Sequence, residues 1–177
     1  VTVKVRTWVQ LGLSAALVLF SPFWALANEE EETERCTAPE YSQFDFWVGE
    51  WRVSDGEGKV VGTNSIEKIL DGCVLRESWT GTAGMRGISV NIYAKARGAW
   101  HQTWVDSNGM LLELDGGLEG HTMVLKGENP ARDGAGTLLH EITWRPLEDG
   151  RVRQTWRISK DGGASWQEVF DGFYSRQ

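Results

Sequence analysis

From residue 46 onward the chain reads as short apolar–polar alternations and not as a helical repeat. Trp, Val, Ile, Leu, Tyr and Thr recur at every second position over strand-length runs. Turn dipeptides separate these runs: Asp55-Gly56, Asp71-Gly72, Arg97-Gly98, Asn108-Gly109, Gly116-Gly117, Asp149-Gly150 and Asp161-Gly162. Asn-Gly and Asp-Gly tolerate positive φ and so favour tight hairpins. The pattern predicts strands over 46–54, 58–68, 73–81, 86–95, 99–106, 109–116, 120–128, 137–147, 150–159 and 164–175. Successive hairpins make an antiparallel meander, and closing it removes the edges along which sheets aggregate. The expected fold is therefore all-β, an antiparallel up-and-down β-barrel of about ten strands. A two-sheet sandwich would need crossover connections, for which the turns leave little length. Residues 129–136 form the one long irregular loop, and the segment Pro39–Phe46 predicts a short helical turn that plugs one barrel end.

The N-terminal part has a different character. Lys4 and Arg6 precede an apolar run over 11–20, Pro22 interrupts it, and Ala25-Leu26-Ala27 offers small residues for cleavage. This is the layout of a secretory signal peptide over residues 1–27, and the run is too short for a membrane span. Export to a periplasmic or extracellular compartment, with no membrane anchor left after cleavage, is the expectation. The Glu-rich tract 28–35 predicts a disordered acidic lead-in, and residues 36–177 a single β-barrel domain.

Cleavage would remove two positive charges and take the formal charge from −7 to −9. Such a chain carries no basic footprint for nucleic acid and no attraction to anionic lipid. Cys36 and Cys73 are the only cysteines. In an oxidising compartment two such residues usually form a disulfide. A redox or metal pair is the alternative, weakened by the long spacing and the lack of a nearby His.

Alternation sorts the side chains by face. One face of 99–106 carries Trp100, Gln102 and Trp104. One face of 137–147 carries Leu138, His140, Ile142 and Trp144. Val152, Gln154, Trp156 and Ile158 share a face of 150–159, and Trp166, Glu168, Phe170 and Tyr174 a face of 164–175. Each set embeds one polar group among large apolar ones, the composition of a ligand pocket. An internal hydrogen-bond network without a ligand would look the same. Asn91 and Trp79 are second-tier pocket candidates, on strands whose inward face the sequence leaves open.

Among catalytic signatures, no Gly-x-Ser-x-Gly elbow, His-Glu-x-x-His or phosphate loop is present. A Glu168–His140 acid–base pair is conceivable if both point inward. No cofactor is expected; a haem ligated by His140 is the alternative.

Several pieces together carry a resemblance: Phe44-Asp-Phe-Trp-Val-Gly-Glu-Trp51, Asp71-Gly-Cys73, Trp100-His-Gln-Thr-Trp-Val-Asp106, Asp149-Gly-Arg-Val-Arg-Gln-Thr-Trp156 and Phe170-Asp-Gly-Phe-Tyr174. Over nearly all of residues 36–176 the chain resembles a family of exported bacterial proteins of unknown function with a lipocalin-like (calycin-like) barrel. The resemblance implies the fold and assigns no catalytic residue. The aromatic-x-Gly-x-Trp opening, with Gly49 and Trp51, is similar to the first strand of lipocalin-like barrels. There a basic residue of the last strand packs across the first-strand Trp, and the resemblance implies this role for Arg176. The segment Ser159–Trp166 fits the Asp-box pattern, in which Asp161 caps turn N–H groups and Trp166 packs on the hairpin. A single copy argues for a hairpin, not for the glycosidase activity of sialidase propellers. The expected role is non-catalytic binding of a small, partly apolar ligand. The competing classes are an enzyme on the same scaffold, such as a lyase or isomerase, and a structural envelope module.

Overall fold

A computed structural model describes residues 36–177 apart from Arg132, Asp133 and Ala135. The signal-peptide and acidic lead-in expectations, over 1–27 and 28–35, lie outside the described residues.

Ten antiparallel strands close into one barrel: β1 (Gly49–Ser54), β2 (Val60–Ile69), β3 (Val74–Gly81), β4 (Arg86–Ala94), β5 (Ala99–Asp106), β6 (Leu111–Glu119), β7 (Thr122–Pro130), β8 (Thr137–Pro146), β9 (Val152–Ser159) and β10 (Gln167–Arg176). Each strand pairs with its neighbours in sequence, and β1 pairs with β10 to complete the ring. The all-β, up-and-down barrel expected from the alternation is the observed fold. Gly116-Gly117 marks no turn, however, and lies inside β6. A Cβ at Gly116 would fall 2.0 Å from the carbonyl oxygen of Val124, so β7 can approach β6 only where the side chain is missing.

The ring closes where Trp51 faces Arg176 and Val53 faces Tyr174. The Arg176 guanidinium lies 4.2 Å from the Trp51 ring centroid, and its Nη1 donates to the Val48 carbonyl at 2.8 Å. Gly49 makes room for it. Its φ of +140° suits glycine, and any Cβ there would meet Nη1 at 2.0 Å.

One end of the barrel is plugged. The 3-10 turns Pro39–Ser42 and Asp45–Trp47 carry Phe44 and Trp47 across it. Phe44 stacks on Trp47 at 4.9 Å and meets Trp100 and Trp144 edge-on at 5.6 and 5.2 Å. The indole N–H of Trp51 donates to the Trp47 carbonyl at 2.8 Å, and that of Trp100 to Gln43 Oε1 at 3.0 Å. Burial of each ring contributes on the order of 2–3 kcal/mol. The Cys36–Cys73 disulfide fastens this lead-in to the β2–β3 hairpin at the same end. It closes a loop of 37 residues, and such a crosslink contributes about 3–4 kcal/mol in the chain-entropy account.

Asp side chains shape hairpins at the opposite end. Asp55 accepts from the N–H groups of Glu57 and Lys59, and Asp106 from those of Asn108 and Met110. Asp161 accepts from the Ser165 N–H and from the Ser159 hydroxyl, while Trp166 lies under the Arg157 guanidinium, 5.3 Å from ring centroid to charge.

The closure contact predicts an energetic coupling between first and last strands. A double-mutant cycle on Trp51→Leu and Arg176→Met, read by chemical denaturation, is expected to give about 0.5–1 kcal/mol of interaction. Strict additivity would refute it.

Candidate functional site

Between the plug and the open end, a belt of polar side chains crosses the barrel interior. It is built by alternation. On β3, Glu77 falls on the inward face between Leu75 and Trp79; on β4, Ser89 and Asn91 share the face of Gly87; on β5, Gln102 lies between Trp100 and Trp104. Asn64 of β2, Gln154 of β9 and Tyr174 of β10 complete it.

The belt is continuous. Gln102 Nε2 donates to Asn91 Oδ1 at 2.7 Å, and Asn91 Nδ2 to Ser89 Oγ at 2.9 Å. Ser89 Oγ donates to Glu77 Oε2 at 2.7 Å. From the other side, Asn64 Nδ2 donates to Glu77 Oε1 at 2.7 Å and lies 3.3 Å from the Tyr174 hydroxyl, which in turn donates to Gln154 Oε1. Both arms converge on Glu77. Its two carboxyl oxygens are the acceptors toward which the surrounding donors are turned.

Glu77 is only 4 % exposed. Burial pushes its pKa up from 4.5 to about 7, with the hydrogen bonds from Asn64 and Ser89 pulling back in part. The groups that act on it are neutral, so no counter-charge offsets its desolvation. Burial, and then the charge of Glu77, push the Tyr174 phenol well above its usual value. Burial lowers the pKa of His140 from its usual value.

Above the belt lies a cavity of about 90 Å³. Glu77, Gln102, Gln154 and Tyr174 line its polar floor; Trp79, Trp104, Trp156 and Phe170, with Met85, Leu112 and Ile142, line its apolar walls. It is smaller than the ~150 Å³ of an engineered apolar cavity that takes up benzene. Its walls are half-buried at Met85, Trp104, Trp156 and Phe170, so it reaches the open end of the barrel. Two of the rings pack against glycines: a Cβ at Gly62 would meet the Trp79 ring at 2.6 Å, and one at Gly87 the Trp104 ring at 2.2 Å. Trp79 meets Phe170 edge-on at 6.1 Å. The mouth is thus walled by aromatic rings held against backbone.

The candidate residues read from the sequence divide into five groups. Trp79, Gln102, Trp104, Gln154 and Trp156 line the cavity together. Asn91 is fully buried inside the belt, behind Gln102. Trp100 and Trp144 belong to the aromatic plug. Glu168 is the correction: it is exposed. A β-bulge between Glu168 and Phe170 makes Glu168 face Arg157 and Phe170 face Trp156, so one extra residue turns Glu168 to the outer surface while Phe170 stays inside. A Glu168–His140 pair is therefore not formed.

His140 is interior, and its Nδ1 accepts from the Trp156 indole at 3.1 Å. A neutral ring with that bond carries its proton on Nε2, a nitrogen buried without a partner among the described residues. Its free lone pair is already used by Trp156, an arrangement that does not fit haem ligation through Nε2.

Glu77, Asn64 and Ser89 are the functional candidates that the strand patterns did not single out; Tyr174 was placed on the pocket face of 164–175 but not as its polar group. The usable signal was Leu75-x-Glu77-x-Trp79, a carboxylate between two large apolar residues on one strand face.

No family model matches this chain, and no curated protein matches it.

The charge of Glu77 predicts a pH dependence of stability with a definite sign. Below about pH 4.5 the carboxyl is protonated in both folded and unfolded chains. Between pH 4.5 and about 7 the unfolded chain loses the proton while the folded one keeps it, so folding stability falls as pH rises, by about 3 kcal/mol in total. Denaturation of wild type and Glu77→Gln across this range should show a difference that grows in favour of the variant and levels off above about pH 7. A constant difference would contradict the raised pKa.

Proposed function

We propose that the protein binds a small, partly apolar ligand in the open mouth of its barrel, without transforming it. The reading rests on one observation: a cavity with aromatic walls and a hydrogen-bonding floor, Glu77, Gln102 and Gln154, on a closed rigid scaffold. The rings of Trp79, Trp104, Trp156 and Phe170 supply contact area, and the floor orients one polar group of the ligand. The resemblance to exported lipocalin-like proteins and the Cys36–Cys73 disulfide support action outside the cytoplasm. An enzymatic reading draws on the same floor, because a carboxyl titrating near neutrality suits general acid–base work. It ranks second because the direct hydrogen-bond donors to Glu77, Asn64 and Ser89, are uncharged structural partners, and burial raises the pKa of Tyr174, the phenol lining the cavity, well above its usual value.

Filling the cavity tests the binding role. Probes with a six-membered aliphatic ring and one polar substituent should shift tryptophan emission saturably in the wild type. Ile142→Phe or Leu112→Phe, checked for folding by circular dichroism, should weaken that binding by more than about tenfold. An unsaturable response in the wild type, or equal binding in a folded filled variant, would refute the pocket.

A further inference from the structure

Building on that binding role, we propose that the ligand is an organic ammonium, its charge paired with the Glu77 carboxylate at the cavity floor beneath the rings of Trp79, Trp104 and Trp156.

The first support is charge. Glu77 is a carboxyl group on the cavity wall, and its direct hydrogen-bond partners, Asn64 and Ser89, are uncharged. The ion pairs of the barrel lie elsewhere, on its outer surface: Arg153 with Asp171 at 2.7 Å and Lys126 with Glu141 at 3.4 Å, for example. Ionising a buried carboxyl without a cation is costly, and a ligand that brings the cation removes that cost. The second support is the wall. Indole faces attract cations through their ring quadrupoles, and three indoles with one phenyl ring surround the cavity mouth. A carboxylate ligand would meet Glu77 as a like charge, and a neutral alcohol would leave it without a counter-ion.

The linkage to protons follows from the interior groups. β2 presents Asn64, β4 Ser89 and Asn91, β5 Gln102 and β9 Gln154, all uncharged; β10 presents Tyr174 and β8 His140. Burial and the Glu77 charge raise the phenol's pKa well above its usual value, and burial lowers that of His140. Glu77, with its pKa raised by burial to about 7, changes charge near neutrality. Ammonium binding below its pKa must expel its proton to solvent.

Calorimetry on the purified protein with three matched probes, cyclohexylmethylamine, cyclohexylmethanol and cyclohexanecarboxylate, tests this. At about pH 8 the amine should bind about tenfold or more tighter than the alcohol. At about pH 6, titrations in buffers of different ionisation enthalpy should show about one proton released per amine bound, falling toward none at pH 8, and amine affinity should drop about tenfold per pH unit below the Glu77 pKa. Glu77→Gln, checked for folding by circular dichroism, should abolish the amine preference and the proton release. Equal or tighter binding of the alcohol or carboxylate, or amine binding without proton release at pH 6, would overturn the ammonium assignment and leave the pocket standing. Failure of all three probes to bind the wild type would overturn the pocket and the assignment together.

Discussion

The buried carboxyl of Glu77 is the constraint around which the barrel interior is organised. A carboxyl 4 % exposed cannot sit among indoles without acceptable partners. Asn64 and Ser89 supply two hydrogen bonds, and those residues are themselves held by Tyr174 and Asn91, then by Gln154 and Gln102. One ionisable group thereby specifies side chains on β2, β4, β5, β9 and β10. Removing any link leaves a buried donor or acceptor unpaired, at a cost of about 1–3 kcal/mol. The belt fixes which residues face inward as firmly as the apolar core does.

The remainder of the interior follows in layers. Below the belt, Phe44, Trp47, Trp100 and Trp144 close one end as a buried aromatic plug, and the disulfide holds the lead-in that carries the first two. Above it lies the aromatic mouth, where glycines at 62 and 87 make room for the rings of Trp79 and Trp104. An eight-stranded barrel is just wide enough for side chains to fill. Ten strands leave extra width, and the plug uses it at one end only. Ring closure by Trp51 and Arg176 is a separate matter, settled by the exposed Arg176 guanidinium over the buried indole of Trp51.

The fold was legible in the chain because hairpin turns and period-two alternation are local signals. The ten strands fall within a few residues of the alternating runs, and β5 coincides with 99–106. The inward faces of β5, β8 and β9 were also legible, since Trp100, Trp104, Ile142, Trp144 and Trp156 mark them without ambiguity. Two features resisted reading. The bulge at Glu168–Phe170 shifts register by one residue, and nothing local distinguishes Glu168 from an inward residue. On β3 and β4, apolar residues occupy both faces: Val74, Ile88 and Val90 alternate against Leu75, Glu77 and Ser89. There the polar residues point inward and Ile88 and Val90 point to solvent, the reverse of the usual rule. That inversion hid Glu77, because the belt on neighbouring strands that compensates its burial is a non-local property. The two indoles of the plug, Trp100 and Trp144, carry the same sequence pattern as those of the mouth, and only the Phe44–Trp47 segment separates their roles.

The protonation of Glu77 inside the barrel decides how the interior is held at neutral pH. A carbon-13 NMR titration of the Glu77 side-chain carboxyl, assigned by comparison with Glu77→Gln, reads this directly. The expected midpoint is about 7, displaced downward when an alkylammonium is added. A midpoint in the ordinary carboxylate range, unaffected by that addition, would contradict it.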